Sequence, residues 1–172
     1  PDAGTFWRVI SEYDVKVLFT APTAFRAIKR VDPAGEFLKK YDTSCLQSLF
    51  LAGERADPAT IEWAEKHLKV PVIDHWWQTE TGWPIAANCL GLEKLPVKPG
   101  SPTCAVPGYD VRILDSDGRE LPDGEIGGIM IRLPLPPGTL ITLWQNDDRY
   151  VDSYLSMHEG WYLTGDAGYR DE

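Results

Sequence analysis

Three short apolar runs alternate with helical stretches in the first half of the chain, and this order limits the fold more than any other feature. The runs are Val15–Phe19, Leu49–Ala52 and Val70–Ile73. Between them, Pro22 falls near the first turn of one helical stretch, and Asp57-Pro58 opens another. Strands separated by helices are typical of parallel β-α-β units. The first half is therefore predicted to be α/β, with a mainly parallel sheet and flanking helices.

A further helix is predicted ahead of the first run, with Asp2 placed to cap its start. Apolar side chains recur there at the spacing of one helical face, which is expected to be the buried face. They are Phe6, Val9, Ile10 and Tyr13.

Polar or small segments follow each of the three runs directly. These segments are Thr20-Ala21, Gly53-Glu54-Arg55 and the stretch from Asp74 to Glu80. In parallel sheets, ligands bind outside the carboxyl ends of the strands. We therefore expect all three segments to lie at one edge of one sheet and to form a binding site there.

The second half has a different texture. Prolines and glycines are interleaved from Leu95 to Gly108, which predicts a connector. Beyond it, Tyr109–Leu114 and Glu125–Arg132 are predicted strands of a mostly antiparallel, barrel-like portion, with one short helix at Asp147–Leu155. The predicted domain organisation is an α/β part at 1–94, a connector at 95–108 and a mostly β subdomain at 109–172.

Composition excludes two classes of partner. The formal net charge of −9 argues against a protein that binds the nucleic-acid backbone, which requires a basic face. No apolar run is long enough to span a membrane. The charge does not exclude nucleotides, because local donors and metal ions hold them. The chain starts at Pro1 without a methionine, so it is expected to be a piece of a longer protein.

The stretch Val72–Gly82 carries the strongest functional signal. A short apolar run ends in a carboxylate, followed by two indoles, then by an amide, a hydroxyl, an acid and a glycine. Two adjacent tryptophans beside so many polar groups suit a pocket whose walls stack on a flat ring while its rim handles phosphate and metal. Gly53-Glu54-Arg55 lies upstream of this stretch, and Tyr162–Asp166 lies downstream.

In this order, the three motifs resemble the adenylate-forming superfamily of acyl-CoA synthetases, luciferases and peptide-synthetase adenylation domains. The double tryptophan is similar to the short-chain acyl-CoA synthetases, and the surrounding sequence is most similar to propionate–CoA ligases. The resemblance implies that Trp76 stacks on adenine, that Thr79 contacts the α-phosphate and that Glu80 helps to hold Mg²⁺. It implies that Asp166 binds both ribose hydroxyls. The resemblance implies ten nucleotide-binding residues: Gly53, Glu54, Arg55, Asp74, His75, Trp76, Trp77, Gln78, Thr79 and Asp166. It implies that Thr79 and Glu80 are the catalytic residues.

The same resemblance assigns the acyl and coenzyme A contacts. Trp77 stands where relatives acting on longer acids carry glycine, and an indole of ~150–250 Å² would shorten the acyl tunnel. Ala52 stands where acetate-specific relatives carry valine, which leaves room for one more methyl group. Ala21 matches a backbone contact to coenzyme A. Arg55 departs from the proline of acetate enzymes, and its role stays open.

The resemblance implies an acid–thiol ligase with ATP, Mg²⁺ and coenzyme A as its cofactors and co-substrates. A short carboxylate, propionate with acetate as the alternative, would attack the α-phosphorus of ATP. Pyrophosphate would leave, and the coenzyme A thiol would then displace AMP. Neither the phosphate loop nor the carboxyl-terminal domain of the family is found in this sequence, so the isolated chain is expected to be inactive. The expected location is the cytoplasm, or the mitochondrial matrix in a eukaryote.

Two other functions fit the same motifs. One is an adenylating enzyme that loads a carrier protein instead of free coenzyme A. The other is a non-catalytic nucleotide-binding module of the same fold, whose hallmark would be the loss of Thr79, Glu80 or Asp166. The sequence leaves open the oligomeric state and the preference between propionate and acetate.

Overall fold

The computed structural model describes residues 2–171. The α-helices are α1 (Thr5–Tyr13), α2 (Pro22–Val31), α3 (Pro58–Leu68) and α4 (Asp147–Tyr154), with a short 3-10 helix at Leu38–Lys40. The β-strands are β1 (Val17–Thr20), β2 (Ser48–Leu51), β3 (Val72–Asp74), β4 (Trp76–Trp77), β5 (Pro84–Ala86), β6 (Val111–Leu114), β7 (Gly127–Arg132) and β8 (Trp161–Gly168). Among the described residues, no helix is both long enough and apolar enough to cross a bilayer.

The chain separates into two compact units, and no single cut in the sequence divides them. The first unit runs to Trp77 and resumes over Ala86–Cys104. The second comprises Gln78–Ile85 and the chain from Ala105 onward. The domain boundaries expected from the sequence, at 94–95 and 108–109, stay a prediction.

The first unit contains a three-stranded parallel sheet in the order β1-β2-β3. Its central strand β2 is more buried than β1, the other four-residue strand, and Leu49 and Leu51 are fully buried. The helices α2 and α3 connect consecutive strands, as a β-α-β unit requires. The predicted α/β class with a parallel sheet is confirmed.

Both connecting helices begin as their sequences predict. Pro22 occupies the first turn of α2, where its missing N–H leaves no helical hydrogen bond unmade. Asp57 caps α3 by accepting a hydrogen bond from the Thr60 amide at 2.9 Å. Phe25 of α2 packs edge-on against Trp63 of α3, with ring centroids 6.4 Å apart. The two helices therefore share one apolar core with the sheet.

The buried face of α1 differs from the predicted one. Trp7 and Ile10 are buried, whereas Val9 is 39% exposed and Tyr13 is 74% exposed. Trp7 is drawn inward because its indole meets Phe25 edge-on at 5.8 Å. The N-cap is Gly4, and the Asp2 carboxylate accepts from the Gly4 amide at 2.8 Å, so Asp2 contacts the helix start without being its cap.

The second unit contains a three-stranded antiparallel sheet in the order β6-β7-β8, together with α4. The predicted antiparallel portion is confirmed. Gly127 allows β7 to pass close to β6, since a Cβ at that position would overlap the Leu114 carbonyl oxygen. Met130, Ile131 and Tyr162 form the buried centre of the sheet.

Candidate functional site

In the first unit, the three segments singled out in the sequence extend the parallel sheet at the carboxyl ends of its strands. The Ala52 amide donates to the Thr20 carbonyl at 3.1 Å, and the His75 amide donates to the Leu51 carbonyl at 3.0 Å. The ladder therefore continues past the strand ends and holds the segments side by side. This is the edge at which open α/β sheets bind ligands.

Glu54 ties the second of these segments to the start of α2. Its carboxylate accepts from the Thr23 amide at 2.8 Å and pairs with the Arg26 guanidinium at 2.6 Å. A carboxylate is favourable at a helix start, where backbone N–H groups lack partners. Ala21, the predicted coenzyme A contact, is the exposed N-cap residue of α2. The Glu54 side chain is thus engaged within the protein, and residues 53–55 are exposed.

Asp74 and His75 are buried at the end of β3, at 8% and 7% exposure. Desolvation raises the pKa of Asp74 to about 6, against the opposing effects of the Ala56 backbone amide and the Arg55 charge. Burial lowers the pKa of His75, which keeps the imidazole neutral. Its ring contacts those of Phe19 and Phe50, with centroids 5.1 Å and 5.8 Å away. His75 is therefore packed among aromatic side chains rather than poised in solvent as a base.

The residues predicted to line the acyl pocket, Ala52 and Trp77, and the predicted adenine contact Trp76 differ in accessibility. Ala52 is buried, Trp76 is half-buried, and Trp77 keeps 37% of its surface exposed. The Trp77 indole is therefore not sealed in the core and has surface left for a ligand. Arg55 is exposed, and its guanidinium lies against Gly100, where a Cβ would be 3.3 Å from Nη2.

In the second unit, Gln78 binds Asp166, a residue 88 positions away in the sequence. The Gln78 side-chain amide donates to the Asp166 carboxylate at 2.8 Å and to the Thr164 carbonyl at 2.6 Å. Its carbonyl oxygen accepts from the Tyr162 hydroxyl at 3.3 Å. The structure thus brings together the two strongest motifs of the sequence.

A bulge in β8 displays Asp166. Met130 of β7 pairs with Leu163, whereas Gly128 pairs with Ala167. The three residues 164–166 therefore stand opposite a single residue of β7, and such an insertion re-aims side chains.

The bulge is held from within by its own residues. The Thr164 hydroxyl donates to the Ile129 carbonyl at 2.6 Å and accepts from the Asp166 amide at 3.1 Å. Gly165 has a φ of +76°, which favours glycine. Backbone geometry thus explains Thr164 and Gly165 of the Thr-Gly-Asp sequence.

Thr79 and Glu80 lie in a tight turn that begins at Gln78. The buried Thr81 hydroxyl accepts from the Gln78 amide at 3.1 Å, and the Thr81 amide donates to the Gln78 carbonyl at 3.1 Å. Thr79 is exposed at this turn, and Glu80 is half-buried. One oxygen of the Glu80 carboxylate accepts from the Tyr154 hydroxyl at 3.0 Å.

The donor set around Glu80 is compatible with magnesium but not with a metal held by protein alone. Within residues 2–171, no group of three or more His, Cys, Asp or Glu side chains is arranged to hold a metal ion. Mg²⁺ commonly uses one or two carboxylates, several waters and substrate phosphates. A single carboxylate beside the exposed Thr79 hydroxyl fits that pattern.

Two tyrosines that sequence reasoning did not assign as site residues take part in this network. Tyr154 of α4 and Tyr162 of β8 stack with centroids 5.5 Å apart and planes at 2°. Burial is the main cause that raises the pKa of each, so both phenols stay protonated and can donate. Arg26, which pairs with the Glu54 carboxylate in the first unit, was also not identified from the sequence. Tyr162 precedes the Thr-Gly-Asp motif closely, whereas nothing in the sequence marks Tyr154 or Arg26.

The predicted site residues thus fall into two groups. Those up to Trp77 lie at the sheet edge of the first unit, and those from Gln78 onward lie in the second. Each group is brought together within its unit. The predicted assembly of both groups around one nucleotide stays a prediction.

Comparison with known proteins identifies related sequences along the whole chain. The family model described as AMP-binding enzyme matches residues 1–136. An uncharacterized protein of Pseudomonas aeruginosa is 54% identical over 172 residues, which is all of this chain and 27% of that protein. The mouse mitochondrial acyl-CoA synthetase short-chain family member 3 is 49% identical, over all of this chain and 25% of its own length.

A propionate–CoA ligase of Escherichia coli is 42% identical over 173 residues, covering 99% of this chain and 27% of the ligase. The chain thus spans about a quarter of the length of the curated relatives it matches.

Proposed function

The chain belongs to the family of AMP-binding enzymes, and from this premise we propose that the protein containing it is an ATP-dependent short-chain acyl-CoA synthetase. Propionate is the proposed substrate, with acetate as a slower alternative. The observation that carries the proposal is the hydrogen bond from Gln78 to Asp166, since it joins the proposed phosphate-binding turn to the proposed ribose-binding residue. The names of the mouse and Escherichia coli relatives support this class of reaction.

The proposed reaction has two steps. A carboxylate oxygen attacks the α-phosphorus of ATP, the bond to the β-phosphate oxygen breaks, and pyrophosphate leaves. The coenzyme A thiolate then attacks the acyl carbon, and AMP leaves with the electron pair of the broken C–O bond. Mg²⁺, when bound, would neutralise charge on the phosphate oxygens. No general base is needed in the first step, because the acid enters ionised.

Each residue at the site receives a role by its chemistry. Asp166 would bind the two ribose hydroxyls, Thr79 would donate to an α-phosphate oxygen, and Glu80 would hold Mg²⁺. Catalysis would come from positioning and from stabilisation of charge on the phosphoryl oxygens. Gln78 would contribute by fixing the Asp166 carboxylate.

The residues at the sheet edge would bind the rest of the substrates. Trp76 would stack on adenine, with Asp74 and His75 as walls. The backbone of Gly53, Glu54 and Arg55 would contact the adenine edge, because the Glu54 carboxylate already serves α2. Ala21 would contact coenzyme A. For the location of the protein we propose the cytoplasm, or the mitochondrial matrix in a eukaryote.

The test measures products formed by the complete protein from ATP, Mg²⁺, coenzyme A and acetate, propionate or butyrate. Equal amounts of AMP and propionyl-CoA are expected, with propionate preferred over acetate by about 10–200-fold, as one methylene allows. AMP release with transfer only to a carrier protein would favour a carrier-loading enzyme. ATP binding without AMP release would identify a non-catalytic module.

A separate substitution tests the proposed acyl pocket. Trp77→Gly is expected to shift activity towards butyrate and longer acids, because the exposed part of the indole would no longer close the tunnel. Trp144→Gly is the matched control, since that indole is 88% exposed and lies outside the proposed site. An unchanged chain-length profile in Trp77→Gly, measured by acyl-CoA formation, would assign Trp77 to packing alone.

A further inference from the structure

A stacked pair of tyrosines holds both neighbours of Thr79. The Tyr154 hydroxyl donates to the Glu80 carboxylate at 3.0 Å, and the Tyr162 hydroxyl donates to the Gln78 side chain at 3.3 Å. The two rings are parallel to within 2°, with centroids 5.5 Å apart. One rigid aromatic pair therefore contacts the residue before Thr79 and the residue after it.

The directions of these hydrogen bonds are fixed by chemistry. The Gln78 nitrogen faces two acceptors, the Thr164 carbonyl and the Asp166 carboxylate, so it must be the amide NH₂. The other Gln78 atom is then a carbonyl oxygen, which only accepts, and the Tyr162 hydroxyl must donate to it. The Tyr154 hydroxyl likewise donates to the Glu80 carboxylate.

We propose that Tyr154 and Tyr162 are positioning residues for nucleotide and metal, acting through Glu80 and through Gln78 respectively. Tyr154 holds one oxygen of Glu80, which orients the other towards a bound cation. Tyr162 fixes the Gln78 amide, which in turn holds the Asp166 carboxylate for the ribose. The inference rests on the proposed function, because it presumes that Asp166 and Glu80 face a nucleotide with Mg²⁺.

Packing alone does not explain this arrangement. Phenylalanine would fill the same space and stack equally well, whereas here both hydroxyls meet polar side chains of a single turn. Without the Tyr162 hydroxyl, the Gln78 carbonyl would lose its donor, and the amide that holds the Asp166 carboxylate would be fixed less firmly. Replacing either tyrosine with phenylalanine is therefore expected to weaken ligand binding while the packing of the rings is kept.

Tyr150 provides a matched control on the same helix. Its ring lies 5.6 Å from that of Tyr154 at 41°, and its hydroxyl donates to the Leu140 carbonyl at 3.1 Å. Tyr150 therefore shares the aromatic cluster, but its hydroxyl is engaged by a backbone carbonyl rather than by a side chain of the turn at Gln78.

The experiment uses the complete protein and the variants Tyr154→Phe, Tyr162→Phe and Tyr150→Phe. Calorimetric titration with ATP, with and without Mg²⁺, measures binding apart from turnover, and kinetics give kcat and the KM for each substrate. Tyr154→Phe is expected to weaken only Mg²⁺-dependent binding, and Tyr162→Phe to weaken ATP binding in both conditions. A loss of about 5–10-fold in each corresponds to one hydrogen bond of ordinary strength. The KM for propionate should change less than twofold, and Tyr150→Phe should match the wild type.

A second variant, Gln78→Met, tests the route from Tyr162 through Gln78 to Asp166. Gln78→Met removes the donor to Asp166 and should weaken ATP binding whether or not Mg²⁺ is present. If Tyr162 acts through Gln78, the double variant Gln78→Met with Tyr162→Phe should bind ATP no more weakly than Gln78→Met alone. Additive losses in the double variant would overturn that route.

Failure of this inference can be told apart from failure of the proposed function. An active wild type whose Tyr154→Phe and Tyr162→Phe variants bind ATP and Mg²⁺ like Tyr150→Phe would overturn the inference alone. A wild type that binds ATP but forms no AMP would overturn the function, while the binding titrations would still decide the positioning roles. Parallel changes in every kinetic constant would show a purely structural effect and would also overturn the inference.

Discussion

Asp74 and His75 are adjacent and buried, and burial acts on their titration in opposite directions. Burial raises the pKa of Asp74 to about 6 and lowers the pKa of His75. Neutral forms of both side chains are therefore favoured by the fold. At neutral pH the histidine is already neutral, whereas the aspartate is ionised against the preference of its surroundings. Such a carboxylate lowers stability unless a ligand or a neighbouring group compensates.

The pH dependence of Asp74 follows from this difference. An unperturbed Asp titrates near ~3.9, so the folded chain holds its proton to higher pH than the unfolded chain. The stability that this provides is present below about pH 4 and is lost as the pH rises from about 4 to about 6. Asp74→Asn is therefore expected to raise the free energy of unfolding by about 1–2 kcal/mol at pH 7.5 and to change it little at pH 4.5.

The measurement is denaturant unfolding of the complete protein at pH 4.5 and pH 7.5. Glu62→Gln is the control, because that side chain is exposed on α3. His75 contributes the opposite trend, losing stability as the pH falls below about 6.5, and it is the same in both proteins being compared. A variant that is less stable than wild type at pH 7.5 would show that the Ala56 amide and the Arg55 charge outweigh the desolvation of Asp74.

At the scale of the elements, the contact between β6 and β7 depends on one glycine. A Cβ at Gly127 would overlap the Leu114 carbonyl and would lie 2.6 Å from a Leu121 methyl group. At Gly128 the same atom would be 3.8 Å from the Leu114 carbonyl, an ordinary contact. The two neighbouring glycines thus differ sharply in what they exclude.

Gly127→Ala is expected to destabilise the protein by about 1–3 kcal/mol, because the backbone of β6 must shift to accommodate the added methyl group. Gly128→Ala, the matched control on the same strand, should change stability by less than about 1 kcal/mol. Thermal unfolding of both variants measures the difference. Equal melting temperatures for the two variants would mean that β6 moves aside without penalty.

The four α-helices and five of the eight described strands could be predicted from local patterns, whereas β4, β5 and β8 were not predicted. Apolar runs, Pro22 and the Asp57 cap each act over a few residues, and the parallel and antiparallel sheets follow from their order. The face of α1 could not be predicted in the same way. Periodicity shows that a helix has an apolar side, but Trp7 is buried because Phe25 lies there to receive its edge.

The candidate site shows the same division between local and distant causes. Thr79, Glu80 and Asp166 stand in recognisable motifs, so roles for them could be proposed from the residues beside them. Tyr154 lies 74 residues from Glu80, its hydrogen-bond partner, and Arg26 lies 31 residues from Asp57. Such contacts depend on how distant segments pack, and a single sequence carries no local signal for them.

For the whole molecule, ligand binding should increase the free energy of unfolding. A ligand that binds only the folded protein stabilises it by about 2.7 kcal/mol at 100 times its Kd. ATP with Mg²⁺ is therefore expected to raise the melting temperature of the complete protein. Asp166→Asn should lose most of this shift, because an amide cannot replace a carboxylate that accepts from two hydroxyls.

Glu80→Gln separates the metal from the nucleotide in the same measurement. It should lose only the part of the shift that requires Mg²⁺, since Glu80 is the proposed cation ligand, whereas Asp166→Asn should lose the shift with or without the metal. Glu93→Gln, an exposed carboxylate outside the site, should retain the full shift. A full ATP-dependent shift in Asp166→Asn, at an ATP concentration near the wild-type Kd, would remove Asp166 from the ribose site. The proposed role of Gln78, which is to hold the Asp166 carboxylate for the ribose, would then be ruled out as well.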